Sequence, residues 1–286
     1  MGFLSTCRFF LSVLALSACT VLSANPVAEK PSLLPVPQKI TWNSERFYLN
    51  GEDILADPRI RKELVNSVDE VPLNMDEAYR LNVTSDSVLI EATGDEGFFR
   101  AFATLDQLTG MDAQGEFIAG CKVTDWPAFR IRGYMHDTGR SFIPVEELKR
   151  EIRVLSGFKI NTFHWHLTED IAWRLSSDVI PELTSAEVIL RDKEGYYSSE
   201  EVADFVRYCN EHFVEVIPEI DMPGHSAAFT RATGYTMQSE EGKEIVRQLL
   251  DEACKLFSGR FFHIGTDEVN RSEEHTSELQ SRQVTS

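Results

Sequence analysis

Phe261-Phe262-His263-Ile264-Gly265-Thr266-Asp267-Glu268-Val269 is an apolar run that ends in two adjacent carboxylates. Its aromatic and β-branched residues predict a buried strand over 261–266 that delivers Asp267 and Glu268 to a site. Gly265, just ahead of the acids, permits close backbone approach by a ligand. Side chains alternate along a regular strand, so both acids can face one cleft only where the strand gives way to a loop. Catalytic groups of α/β barrels sit at such strand ends. The chain carries 46 Asp and Glu against 28 Lys and Arg, so most acidic pairs in it are simply solvated. This pair therefore needs partners elsewhere in the sequence before it counts as a site.

Those partners come from the preceding 130 or so residues, where a strand, loop and helix grammar repeats. The pattern predicts strands at Ile131–His136, Ile160–Leu167 and Val214–Ile220, with 261–266 as the fourth. Between them it predicts helices from Pro144, placed at the first helical position, to Ser156, from Ser199 to His212, and from Glu241 to Phe257, the last closed by Gly259. Ionisable residues follow every strand: Asp137 and Arg140, His166 and Asp170, Asp221 and His225, Asp267 and Glu268. Four consecutive strand ends carrying such groups point to a shared site on the C-terminal face of a barrel.

Ahead of this region, from about 31 to 127, lies a mixed pattern. Tyr79–Val83 and Val88–Ala92 read as strands around a Ser-Asp-Ser turn, and Phe98–Leu108 spaces its apolar residues as a helix does. It contains no chemical constellation and reads as a non-catalytic scaffold. The fold class is thus α/β, a small α+β N-terminal domain (31–127) followed by the first half, four strands, of a TIM (β/α)8 barrel (128–270).

Arg8 ahead of the apolar run Phe9–Leu16 reads as a secretory signal, too short to span a bilayer, which places the protein outside the cytoplasm. Leu16-Ser17-Ala18-Cys19 resembles a bacterial lipobox, making residues 1–18 the cleaved peptide and Cys19 the lipid-bearing residue of a periplasmic or membrane-anchored protein; cleavage after Ala24 to give a secreted form is the rival. A formal charge of −18 argues against nucleic acid or anionic membrane as partner. Cys121, Cys209 and Cys254 form an odd set without metal-type spacing and read as buried thiols. Residues 271–286 are nearly devoid of apolar side chains, resemble a translated sequencing adapter, and are left out of any site.

The ordered blocks Arg132–Arg140, His164–Asp170 with Trp173-Arg174, Pro218–His225 and His263–Glu268 resemble the glycoside hydrolase family 20 β-N-acetylhexosaminidases, and Leu34–Gln38 through Leu108 is similar to that family's N-terminal domain. The resemblance implies removal of a terminal β-linked N-acetylglucosamine or N-acetylgalactosamine from an oligosaccharide by a retaining, substrate-assisted mechanism, with no cofactor and no metal. It implies Glu268 as general acid and base, Asp267 as the carboxylate that holds the substrate's acetamide, and Arg140 as a donor to sugar hydroxyls. It further implies Asp170 and His225, and less firmly Asp221, as the shell that supports Glu268, with His166 and His263 as walls of the site. Thr266 departs from the pattern, standing where many members have a second glycine, and Ile171-Ala172 replace the common Gln-Gly before Trp173. Two rivals remain: a carbohydrate-binding pseudoenzyme, and a metal-dependent barrel hydrolase using His164 and His166, for which no further ligands fall at the expected later strand ends. A barrel ending after four strands leaves bare edges at Ile131 and Phe261 and uncovered apolar faces at Phe163, Ile217 and Ile264. The 286 residues alone are therefore expected to be inactive.

Overall fold

The computed structural model describes residues 30–51, 54–266 and 268–269; the expected signal, Cys19, Asp267 and the segment 271–286 lie outside them. From Pro31 onward the chain forms one unit built on two sheets. The first contains β1 (Lys39–Tyr48), β2 (Ile60–Leu64), β3 (Tyr79–Val83), β4 (Val88–Ala92), β5 (Thr109–Asp112) and β6 (Gly115–Asp125). Its order is β1-β6-β3-β4-β2, with β5 also on β6, and only β2 and β4 run parallel. β3 and β4 alternate buried and half-buried residues along their whole length. Their inward side chains pack with α1 (Asp95–Leu108), whose Phe98, Ala101, Leu105 and Leu108 are all buried. The long β6, at the centre of this sheet, went unread in the sequence because Gly120 and Lys122 interrupt its apolar alternation.

The second sheet is parallel, in the order β7 (Gly133–Asp137), β8 (Thr162–His166), β9 (Glu215–Glu219). Its connections are α2 (Val145–Gly157), then a long loop and α3 (Ser199–Glu211). α4 (Ala227–Thr233) and α5 (Glu240–Leu256) follow β9. Ser198 opens α3 with a full capping box to Glu201. Phe163, Trp165 and Val216 face the helices and are buried with Val202, Phe205 and Leu249. Full burial of each such side chain contributes about 1.5–3 kcal/mol.

Several expectations are corrected. The segment 261–266 is no strand: a single parallel bridge joins His263 to Glu219, carried by His263 N–H to Pro218 O at 2.9 Å and Ile220 N–H to His263 O at 3.2 Å. The reason is local, since φ is +65° at Gly265 and +91° at Thr266, which ends any extended run. The described barrel portion thus has three strands, not four. Phe163 is fully buried on the helix side, so the uncovered face belongs to its neighbours in the alternation, while Phe261 and Ile264 are 47% and 48% exposed as expected of an edge. Pro144 is the N-cap of α2, not its first residue. Phe257 caps α5, and Gly259 lies beyond it. Cys254 is exposed, while Cys121 and Cys209 are buried.

Buried charge ties the two sheets together. Glu77 accepts from Arg100 Nε at 2.8 Å and from Arg132, and Lys159 Nζ reaches Asp125 Oδ2 at 2.8 Å and Tyr79 Oη at 2.9 Å. No helix among the described residues is long and apolar enough to cross a membrane.

Candidate active site

The C-terminal ends of β7, β8 and β9 and the loops that follow bring the expected polar groups to one place. Arg140, half-exposed, bonds through its backbone N–H to Asp137 Oδ1 at 2.9 Å, and its guanidinium lies 2.5 Å from Asp137 Oδ2 and against Glu169 Oε1. The loop after β7 is tied to the end of β8 at Thr138, whose N–H and hydroxyl both donate to His166 O at 3.0 Å. His225, with φ +45°, immediately precedes the N-cap of α4 and turns Nδ1 toward Glu169 Oε2 at 3.3 Å and Nε2 toward Glu268 Oε2 at 3.3 Å. Asp170 Oδ2 is farther from the same Nδ1, at 3.8 Å. Its other oxygen accepts the Ala227 N–H at 3.0 Å, so Asp170 anchors the start of α4 as much as it faces His225.

Glu169 was not singled out in the sequence, yet it is the buried acid on which Arg140, His166 and His225 converge. Its only sequence signal is its place three residues past His166 at the end of a strand.

Asp221 is fully buried and accepts the Thr266 N–H at Oδ1, 3.0 Å away. A Cβ on Gly265 would fall 1.7 Å from that same oxygen, and φ of +65° there suits only glycine well. The Cβ side of Gly265 is therefore closely approached by the Asp221 carboxylate. Asp221 in this way holds the loop that carries Glu268, whose side chain is 78% exposed to the cleft. Asp267 lies outside the described residues.

Below these groups, Glu219 is the second buried acid the sequence left unremarked. His164 Nε2 is 2.6 Å from its Oε2, His166 Nδ1 2.9 Å from the same oxygen, and His263 Nδ1 3.1 Å from Oε1. Burial acts to raise the pKa of Glu219, and the three imidazoles overcome it and hold the carboxyl well below the usual range. For His166 burial acts to lower the pKa, and the Glu219 carboxylate, helped by Asp137 and Glu169, raises it above the ordinary value.

The sequence matches two profiles of one family: "Glycosyl hydrolase family 20, domain 2" over residues 55–126 and "Glycosyl hydrolase family 20, catalytic domain" over 129–240. The chain belongs to glycosyl hydrolase family 20. Among family 20 relatives, a β-hexosaminidase of Vibrio furnissii is 35% identical over 228 residues, covering 67% of this chain and 37% of that protein. A β-hexosaminidase of Akkermansia muciniphila is 38% identical over 223 residues, covering 74% and 43%. The solved β-N-acetylhexosaminidase of Bacteroides fragilis superposes with a TM-score of 0.73 at 27% identity, covering 87% of this chain and 59% of that one. The exo-β-N-acetylglucosaminidase of Vibrio harveyi, solved with N-acetylglucosamine, gives 0.74 at 28% identity, covering 88% and 50%. This family 20 chain accordingly has an α/β fold whose catalytic part is of the TIM-barrel type, and it spans about two fifths of the length of these two curated relatives.

Proposed function

We propose that this chain supplies the acid-bearing side of the active site of a retaining β-N-acetylhexosaminidase acting on oligosaccharides that end in a β-linked 2-acetamido sugar. The observation that supports it most is the line Glu169, His225, Glu268: a buried acid on one imidazole nitrogen and the exposed Glu268 carboxyl on the other, 3.3 Å each. An imidazole held between two carboxyls orients Glu268 toward the cleft.

In the reaction, the substrate's acetamido oxygen attacks the anomeric carbon as the bond to the leaving oxygen breaks. Glu268 gives that oxygen its proton, and the sugar becomes an oxazolinium ion. Asp267, ionised, accepts the acetamide N–H and offsets the positive charge. Water then adds to the anomeric carbon, reopening the ring, and its proton returns to Glu268. Arg140, braced by Asp137 and Glu169, offers its remaining donors to sugar hydroxyls. We further propose that the 286 residues alone do not turn substrate over, because the described parallel sheet has three strands and a closed barrel eight.

The test compares paired aryl β-glycosides, one with a 2-acetamido group and one with a plain 2-hydroxyl, on a chain carrying all eight barrel strands. The acetamido substrate is cleaved and the hydroxyl one is inert, and Asp267→Asn lowers turnover without relaxing that requirement. Equal cleavage of both glycosides overturns the mechanism.

A further inference from the structure

Trp173-Arg174, part of a motif block read in the sequence, has no role in the chemistry described so far. Arg174 lies in the long loop between β8 and α3 and is fully buried. Burying a guanidinium is costly unless its N–H groups find acceptors. Here the acceptors are main-chain carbonyls. Nε donates to Thr138 O at 3.1 Å, Nη1 to Gly195 O at 2.6 Å and to Asp192 O at 3.1 Å, and Nη2 to Arg191 O at 2.9 Å. The Asp192 carboxylate stands farther off, at 3.8 Å. A guanidinium bonded to carbonyls fixes the course of the backbone, where one bonded to side chains would fix only those side chains. Arg174 thus ties the segment 191–195 of the long loop to the segment that leaves β7.

Arg140 stands two residues beyond Thr138 in that second segment. The tie is repeated around it. Arg191 Nη1 donates to Arg140 O at 3.2 Å, and the Phe142 N–H donates to Asp192 Oδ2 at 3.1 Å. Gly195 packs so closely on Phe142 that a Cβ there would lie 2.4 Å from Phe142 Cγ. Asp192 holds φ at +51°, and its O also accepts the Gly195 N–H at 2.7 Å. A backbone conformation of that kind persists where its surroundings over-determine it, and the buried guanidinium is one of those surroundings.

We propose that Arg174 is a positioning residue for Arg140: by holding the carbonyls of Thr138, Arg191, Asp192 and Gly195, it sets the place from which the Arg140 guanidinium meets the sugar. The inference rests on the reading of Arg140 as the donor to sugar hydroxyls. Arg140 is half-exposed and its side chain is long, so where its fork points depends on where its backbone is held. A misplacement of about 1 Å in a group that orients substrate costs on the order of 100-fold. Lysine is no substitute for Arg174, because a compact ammonium lacks the planar fork that reaches four carbonyls at once.

The experiment has two arms. In the 286-residue chain, amide hydrogen exchange is compared between the unsubstituted protein and Arg174→Lys. The Arg140 and Phe142 amides should exchange about tenfold faster or more in the variant, with β8 and α3 unchanged. Unchanged exchange at both amides, or acceleration spread over the whole chain, would overturn the proposal and leave Arg174 a general stabiliser. The second arm is kinetic, on a chain carrying all eight barrel strands. Sugar hydroxyls are held before and during the reaction, so Arg174→Lys should raise KM by about 10- to 100-fold with a smaller effect on kcat. A variant that is merely less folded lowers the apparent kcat and leaves KM alone. In an Arg140→Met background the same substitution should change KM by less than about threefold, because the two residues act as a unit. Should Arg174→Lys fail to fold, Gly195→Ala carries both arms, since its methyl displaces Phe142 with Arg174 still in place. An unaltered KM, or an equal rise with and without Arg140, would overturn the proposal. Arg140→Met with no effect of its own would overturn the sugar-binding reading instead, and the exchange arm would still decide the positioning.

Discussion

Glu169 Oε2 stands 3.3 Å from His225 Nδ1, closer than the 3.8 Å to Asp170 Oδ2, so the acid that governs this imidazole is Glu169. The carboxylate also takes the Arg140 guanidinium, and one buried group therefore links the arginine proposed to bind sugar to the imidazole beside Glu268, the proposed general acid.

Glu169→Gln should consequently lower kcat more than Asp170→Asn does, because the buried carboxylate that faces both His225 Nδ1 and the Arg140 guanidinium is lost. Asp170→Asn should act mainly on stability, through the start of α4 that its Oδ1 anchors. Steady-state kinetics across pH on both variants checks the order, and a larger kcat effect in Asp170→Asn would assign the role to Asp170 instead.

Glu268→Gln removes the proposed proton donor. Turnover of substrates with poor leaving groups should fall by about two to four orders of magnitude, and that of activated aryl glycosides by much less. The comparison of the two leaving groups is the measurement, and equal losses would mean that Glu268 does not protonate the leaving oxygen.

Thr266 holds φ at +91°, a region costly for a β-branched residue by roughly 1–3 kcal/mol. Thr266→Gly keeps the backbone N–H that Asp221 accepts and removes the strain, so a net gain of up to about 1 kcal/mol is expected once the greater freedom of glycine in the unfolded chain is subtracted. Urea denaturation decides it, and a destabilised variant would show that the Thr266 side chain contributes more than its backbone costs.

The His166–Glu219 pair predicts a stability window. The pKa of His166 is raised above 6.5, so its contribution is complete below that value and is lost as pH rises through the folded pKa. The pKa of Glu219 is depressed below 4.5, so its contribution is complete above that value and is lost as pH falls through the folded pKa. The stability difference between the unsubstituted protein and Glu219→Gln should be greatest between about pH 4.5 and 6.5 and shrink toward alkaline pH. Denaturation curves at a series of pH values test this, and a difference independent of pH would rule out the pair as charged.

Alternation and helical spacing alone placed Tyr79–Val83 and Val88–Ala92 at their observed bounds and set most of the strand, loop and helix order from Gly133 to Leu256, missing α4, because most of those elements bury one face against one of two cores. The ordered motifs placed Asp137, Arg140, His166, Asp170, Asp221 and His225 at the ends of strands. Sequence could not decide what Phe261–Thr266 becomes. Its apolar residues favour a strand, but it pairs with β9 only at His263, and the positive φ angles at Gly265 and Thr266, over the Asp221 carboxylate, end the extended course. Nor could it show that Glu169 outranks Asp170, or that Glu219 gathers His164, His166 and His263 from three separate segments. Local propensity and periodicity are properties of neighbouring residues and are written in the chain. Which carboxylate meets which imidazole depends on the register of parallel strands joined by long connections, and only the packed tertiary structure fixes that.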